Sequence, residues 1–463
     1  MIPAETRRES SSFRDPSGFI FYRDGALFRQ INRVYQPDYE RLMESGLYEE
    51  LVGGGLLIPH EEAAGVPFQS EDGYRVIRPA PVRFISYPYE WCFSQLKDAA
   101  LLTLEIQRQA LARDMVLKDA SAYNIQFQGG RPVLIDTLSF ARYEPGEAWA
   151  AYRQFCQHFL APLALMAYRD ARLNKLTQAF IDGVPLDLAS GLLPRGLGVN
   201  FGIHTHIHLH ALSQKLTTDR KRESPTRQTN IAKSSLAALC ENLRAVVSRL
   251  DWQPSKTAWA EYYQFTNYSE PSFDFKVQFV KEAVERLCPG VVWDLGANTG
   301  LFSKRCVRDE NCMVVSSDYD PGAVEINYLD CKKEGIAHVH PLVIDLTNPS
   351  PAIGWGNRER MSFMERGPAD MVFALALVHH LAISNNLPLE KIRDFFAAAG
   401  RDLVVEFVPK EDSQVRRLLA TREDIFADYT LENFLKVFSE KYALERQERI
   451  PGSERVICLM TAR

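Results

Sequence analysis

Residues 291–301 read VVWDLGANTGL, a short apolar run that stops at Asp294 and gives way to a glycine-bearing turn. The run has strand composition, and the residues from Leu301 onward have helical spacing, so the turn joins a strand to a helix. A nucleotide-like ligand lying over such a turn needs the backbone to approach it closely. Glycine is required at the close points because a Cβ would intrude. Asn298 suits the central position, since Asn tolerates left-handed backbone angles better than most residues. A second apolar run, 313–318 (MVVSSD), ends on Asp318, eighteen residues beyond Gly300. An acid there is placed to accept both hydrogens of a ribose diol. A third run, 338–344, is followed by Asp345, positioned to meet an adenine amino group.

Working outward, ADMVFALA (369–376) and RDLVVEFV (401–408) are further strands, with a helical stretch over 390–399 between them. Strands separated by helices imply right-handed crossovers and a parallel sheet covered on both faces. The end of the chain breaks this rhythm. A helix over 430–441 leads into YALERQERI and ERVICLMTA, joined by Pro451-Gly452-Ser453, which predicts a terminal hairpin and an antiparallel strand in the sheet.

The DxGxNxG turn and the two strand-end acids resemble those of the class I S-adenosylmethionine-dependent methyltransferases, over about residues 270–463. The resemblance implies an α/β, Rossmann-like, seven-stranded sheet whose last strand inserts antiparallel, and S-adenosylmethionine as cofactor. It implies that Gly296, Asn298 and Gly300 line the methionine and ribose, Asp318 the ribose hydroxyls and Asp345 the adenine. Asp294 orients the loop or meets the methionine ammonium, and Asp320 is a second ribose residue or, preceding Pro321, a helix cap. Members that methylate amino groups of adenine or glutamine carry an Asp/Asn-Pro-Pro-aromatic signature after the fourth strand. Here Ala374 to Leu381 read ALALVHHL, which points to a small molecule or a hydroxyl as acceptor. His379 or His380 is the general-base candidate there. Glu406, ending the fifth strand, would bind the acceptor or pair with Lys410. In the aromatic segment before the first strand, Tyr262, Tyr263 and Lys276 are cofactor-lid residues, the aromatics excluding water and sensing the sulfonium.

The front half carries a weaker pattern. Residues 19–33 read as a hairpin turning at Asp24-Gly25. A helix over 37–52, strands over 74–78 and 82–87 and a helix over 92–112 follow. Asp119, then Asn124, then a hairpin and a strand ending in Asp136, resemble the catalytic loop and metal-binding strand of protein-kinase-like and aminoglycoside-phosphotransferase-like folds. No glycine-rich phosphate loop precedes the hairpin, and only Arg29 or Arg33 stands where a phosphate-binding lysine belongs. The expectation is an α+β domain of degenerate kinase-like fold that serves recognition of substrate or partner. The alternatives are a bifunctional enzyme with ATP- and Mg²⁺-dependent activity and a non-catalytic cofactor-binding regulator.

The whole is 463 residues with 46% hydrophobic and 24% charged residues, a globular composition and enough chain for two or three domains. The expected division is a domain over 1–213, a basic polar linker over 214–234, a helical and aromatic lid segment over 235–290, and the methyltransferase domain over 291–463. With 54 basic and 59 acidic residues the net charge of −5 gives no support to a nucleic-acid partner. No apolar run is long enough for a signal peptide or a membrane span, and the eight scattered cysteines, without a CxxC pair, read as reduced thiols. Localisation is expected to be cytoplasmic. His204, His206, His208 and His210 alternate strictly. On a strand all four would share one face; on a helix only pairs four apart would meet, and a polar surface segment outweighs a metal site.

Overall fold

The computed structural model describes residues 6–194, 201–213, 230–254, 270–307, 309, 311–420 and 422–463. Two compact units divide the chain: residues 1–253 with 353–360, and residues 254–352 with 361–463. The division thus falls at Gln253–Pro254. The helix Lys233–Arg249, expected to start a lid, belongs to the first unit, and most of the basic linker, 214–229, lies outside the described residues.

In the first unit a five-stranded antiparallel sheet runs, in spatial order, Thr6–Arg8, Gly18–Arg23, Ala26–Asn32, Gly73–Pro79 and His60–Glu62. Its central hairpin turns at Asp24 and Gly25, both at positive φ, as a two-residue turn matching strand twist requires. Phe19, Phe21, Phe28 and Val76 form one apolar cluster and Ile31, Tyr35, Tyr39, Ile77 and Leu138 another. The strand expected over 82–87 does not form. Pro79, Pro81 and Pro88 withdraw the amide hydrogens a ladder needs, and the segment passes into a single turn, Pro88–Glu90. The helix Phe93–Ala112 follows, then a hairpin of Ile125–Gln128 and Arg131–Leu134 enclosed in sequence by a second antiparallel pair, Met115–Leu117 with Phe140–Arg142. The alternating histidines lie in helical turns over 201–213, so they share no strand face. His206 contacts the Tyr152 hydroxyl and Asn242, each at 2.7 Å, and His208 meets Ser190.

The second unit is built on one seven-stranded sheet. Its strands are β1 (Val291–Leu295), β2 (Met313–Asp318), β3 (Val339–Val343), β4 (Ala369–Ala374), β5 (Gly400–Phe407), β6 (Tyr442–Arg449) and β7 (Val456–Ala462). Spatial order is β3-β2-β1-β4-β5-β7-β6. All pairings from β3 to β5 are parallel, whereas β7 runs antiparallel to both β5 and β6. This order, with the last strand inserted antiparallel, is the topology that the methyltransferase resemblance implies. The parallel strands are apolar on both faces because helices cover both, and every residue of β2 is buried. Helices α1 (Glu270–Leu287), α2 (Leu301–Cys306) and α3 (Pro321–Glu334) precede or follow the first strands, α4 (Leu389–Ala399) precedes β5, and α5 (Ser413–Leu419) and α6 (Leu431–Phe438) lead to the hairpin. Phe279, Val280 and Ala283 of α1 pack with Val292, Val314, Phe373 and Val404.

The β1–α2 turn depends on two glycines at φ +73° (Gly296) and +70° (Gly300). At Gly300 an added Cβ would lie 2.3 Å from the side chain of Asn327, itself buried and donating to Ser316 Oγ at 2.9 Å. Gly335, capping α3, has the same backbone angles, φ 70° and ψ 26°, with nothing within 4 Å of such a Cβ. Comparing the two isolates steric overlap from backbone strain. Gly335→Ala should cost about 1 kcal/mol, the left-handed penalty alone. Gly300→Ala should cost roughly 1–3 kcal/mol more, because Asn327 must abandon its bond or the loop must move. Urea unfolding of the full chain reads the difference; equal losses would show that Asn327 yields freely.

Candidate functional site

At the carboxyl ends of β1–β4 lies a cavity of about 400 Å³. Open parallel sheets leave such a crevice where successive connections depart to opposite faces, here between β1 and β4. Its wall takes Asp294, Gly296, Ala297 and Asn298 from the first turn, Asp318 and Tyr319 from the second, and Ile344 to Thr347 from the third. Leu375, Ala376, Leu377 and His380 follow β4, while Phe273 and Lys276 come from α1 and Leu418 from α5.

The first turn is fixed by the end of β2. The amides of Gly296 and Ala297 both donate to the Ser317 carbonyl at 2.9 Å. Asn298, at φ +53°, donates its amide to Asp318 Oδ2 at 2.8 Å, and Asp320 donates to the other oxygen, Oδ1, at 2.9 Å. Both carboxylate oxygens are therefore oriented by backbone. Burial pushes the Asp318 carboxyl up to about 6, although these amides pull it down. Burial likewise raises Asp294 to about 6; its Oδ2 accepts from the Ser303 hydroxyl at 2.6 Å. Asp345 accepts from the amide and hydroxyl of Thr347 at 2.8 and 2.7 Å.

Several expected residues stand elsewhere. Gly300 does not line the cavity; its freedom serves the packing against Asn327. Asp320 also stays off the wall and caps α3, accepting from the Gly322 amide at 2.8 Å. Of the two histidines, His380 faces the cavity. His379 is buried behind it, ring centroids 4.1 Å apart, because the wide helical turn at 380–384 carries only one of two successive side chains inward. Burial pushes His380 down to about 4 and His379 well below the ordinary histidine value, with Arg455 opposing protonation of both. Glu406 is corrected in both of its expected roles. It has no exposed surface and is absent from the wall, and its partners are Lys276 at 2.5 Å and Arg455 at 3.3 Å. Lys410 pairs with Asp424 instead, at 2.8 Å. Tyr262 and Tyr263 lie outside the described residues.

Tyr319, Thr347 and Leu418 went unread in the sequence. Tyr319 directly follows the strand-end acid, a signal that was available. Leu418 had none, since only the tertiary placement of α5 brings it to the wall. In the first unit Asp119, Asn124 and Asp136 are engaged locally. Asp136 pairs with Arg29 and accepts from Ser139 at 2.8 Å; Asn124 donates to Ser139 at 3.2 Å; Asp119 accepts from Gln154 at 2.8 Å. Among the described residues no group of three or more His, Cys, Asp or Glu is placed to hold a metal ion, and no helix is long and apolar enough to cross a membrane.

No family model matches the sequence. Among solved structures the chain overlaps the N-methyltransferase NodS of Bradyrhizobium japonicum WM9, at 12% identity over 42% of this chain and 98% of that one, TM-score 0.31. It also overlaps magnesium protoporphyrin IX methyltransferase of Synechocystis PCC 6803 with bound S-adenosylhomocysteine, at 15% identity over 44% and 93%, TM-score 0.30. A curated relative, nodulation protein NoeA of Rhizobium meliloti (strain 1021), is 35% identical over 458 residues, 97% of this chain and 95% of that protein. Matched at that identity along nearly its whole length, the chain belongs to the NoeA family.

Proposed function

We propose that the protein is an S-adenosylmethionine-dependent methyltransferase whose acceptor is a small molecule or a hydroxyl group. We further propose that the first unit serves acceptor or partner recognition. The observation that carries the reading is Asp318, held on the cavity wall with both oxygens aligned by the amides of Asn298 and Asp320, beside a turn that brings backbone to the ligand. The wall also fits the cofactor in chemistry: acids at the ends of β2 and β3 for ribose hydroxyls and the adenine amino group, and leucine, isoleucine and phenylalanine for the flat apolar faces. The relative's name places that protein in nodulation, a setting we extend to this chain.

The bound cofactor supplies a methyl group on a sulfonium already activated by its positive charge. The protein's part is therefore mostly orientation, which contributes up to roughly 7–11 kcal/mol. Asp318 and Asp345 hold the nucleoside, and Asp294 holds the loop through Ser303. Phe273, Leu377 and Leu381 keep water from the reacting end. The His380 imidazole, kept neutral by burial, takes the acceptor proton as the new bond forms.

Two outcomes test this. Calorimetry on the full chain should show binding of S-adenosylhomocysteine, lost in Asp318→Ala. In the wild type, affinity should fall as pH drops through about 6, where the Asp318 carboxylate gains a proton and can no longer accept two hydroxyl hydrogens. A protein indifferent to the nucleoside at every pH refutes the proposal. His380→Ala should leave that binding within about twofold while lowering transfer of labelled methyl to a fractionated cell extract by about 10²–10⁴-fold. An unchanged rate would remove His380 as the base.

A further inference from the structure

Behind the cavity runs a chain of buried charges that the sequence did not reveal. Lys276 Nζ lies 2.5 Å from Glu406 Oε2, and Glu406 Oε1 lies 3.3 Å from Arg455 Nη1. Arg455 in turn forks onto Asp412, at 2.8 and 3.1 Å, and Asp412 caps α5 through the Gln414 amide. Four elements are tied together: α1, the end of β5, the β6–β7 turn and the start of α5. The side chains of Lys276, Glu406 and Arg455 are 4%, 0% and 4% exposed. Charges so deeply buried are stable only when paired, and the chain alternates two cations with two carboxylates, so it is neutral as a whole.

Only its first member reaches the cavity. Lys276 is on the wall; Glu406, Arg455 and Asp412 are not. Among the described residues of that wall the charged groups are otherwise the acids Asp294, Asp318 and Asp345, and His380 is neutral. A ligand with one anionic group therefore has one favourable place for it. Lys276 also stands over the Phe302 ring, Nζ 4.6 Å from its centroid, and shares the wall with Asp294 closely enough for each charge to act on the other. A cation and a carboxylate side by side complement the ammonium and carboxylate of an α-amino acid.

We infer that Lys276 is the specificity-determining residue for the amino-acid end of the cofactor, and that Glu406, braced by Arg455, is its positioning residue. This rests on the methyltransferase reading and adds to it which part of the ligand is selected, and by what. Glu406 keeps the ammonium charged where burial would otherwise favour its loss of a proton, and it fixes the ammonium's position. Arg455 holds Glu406, so the terminal hairpin takes part in recognition without touching ligand.

The test compares two nucleosides on the full chain: S-adenosylhomocysteine, and 5′-methylthioadenosine, which lacks the amino-acid end. Lys276→Met should weaken the first at least tenfold and leave the second within about twofold; Lys276→Arg should restore most of the loss. Lys276→Met combined with Glu406→Gln leaves Arg455 paired with Asp412 and no uncompensated charge, so it provides a folded comparison with the same expected loss. Glu406→Gln alone should make the preference for S-adenosylhomocysteine decline more steeply than in the wild type as pH rises from 7 to 9, because the ligand's own amino group titrates alike in both and only the loss of Glu406 eases deprotonation of Lys276. Parallel losses for both nucleosides, or none for either, overturn the inference and leave the methyltransferase reading standing. A wild type that binds neither nucleoside overturns both.

Discussion

Three consecutive amides in the first turn answer to the end of a neighbouring strand: Gly296 and Ala297 to the Ser317 carbonyl, Asn298 to the Asp318 carboxylate. That anchoring is the constraint on which the rest of the site depends. It bends the chain sharply after β1, which is why Gly296, Asn298 and Gly300 all sit at positive φ. It aims the Asp318 carboxylate at the crevice, and it sets the start of α2, from which Ser303 reaches back to Asp294. A turn so tightly referenced to the sheet behaves as part of the rigid framework, and rigidity is what an orienting catalyst requires.

Among the described residues of its wall the crevice is acidic toward the nucleoside, and Lys276 is the one cation. Burial lifts Asp294 and Asp318 toward neutrality and lowers both histidines, so a mostly apolar cavity is kept from accumulating bare charge. The Lys276–Glu406–Arg455–Asp412 chain follows the same rule by pairing each charge with its neighbour. Its reach from α1 to the last hairpin gives the antiparallel strand a physical purpose beyond closing the sheet edge.

The first unit shows how spacing under-determines a site. Asp119, Asn124 and Asp136 come together, but each is already bonded to protein. Arg29 from the third strand of the antiparallel sheet meets Asp136 directly. The alternating histidines make the same point, because their spacing allowed a strand face or helical pairs four apart, and the chain adopted wide helical turns. There Tyr152, Asn242 and Ser190 satisfy individual rings.

Short-range physics was legible in the residues alone. Apolar runs bounded by Gly, Pro and Asp marked the strands of the second unit, and the turn at 294–300 with acids after the next two strands marked the crevice. These features depend on neighbours a few residues apart, whose spacing the chain carries in itself. Tertiary structure alone decided the rest. Gly300 turned out to make room for Asn327, Asp320 to cap a helix, His380 to face inward and His379 not. Glu406, whose nearest cation in sequence is Lys410, was claimed by Lys276 and Arg455, 130 residues before it and 49 after. A buried carboxylate pairs with whatever cation the packing of distant elements delivers, and the register between β5, β7 and α1 that delivers it is written in no local pattern.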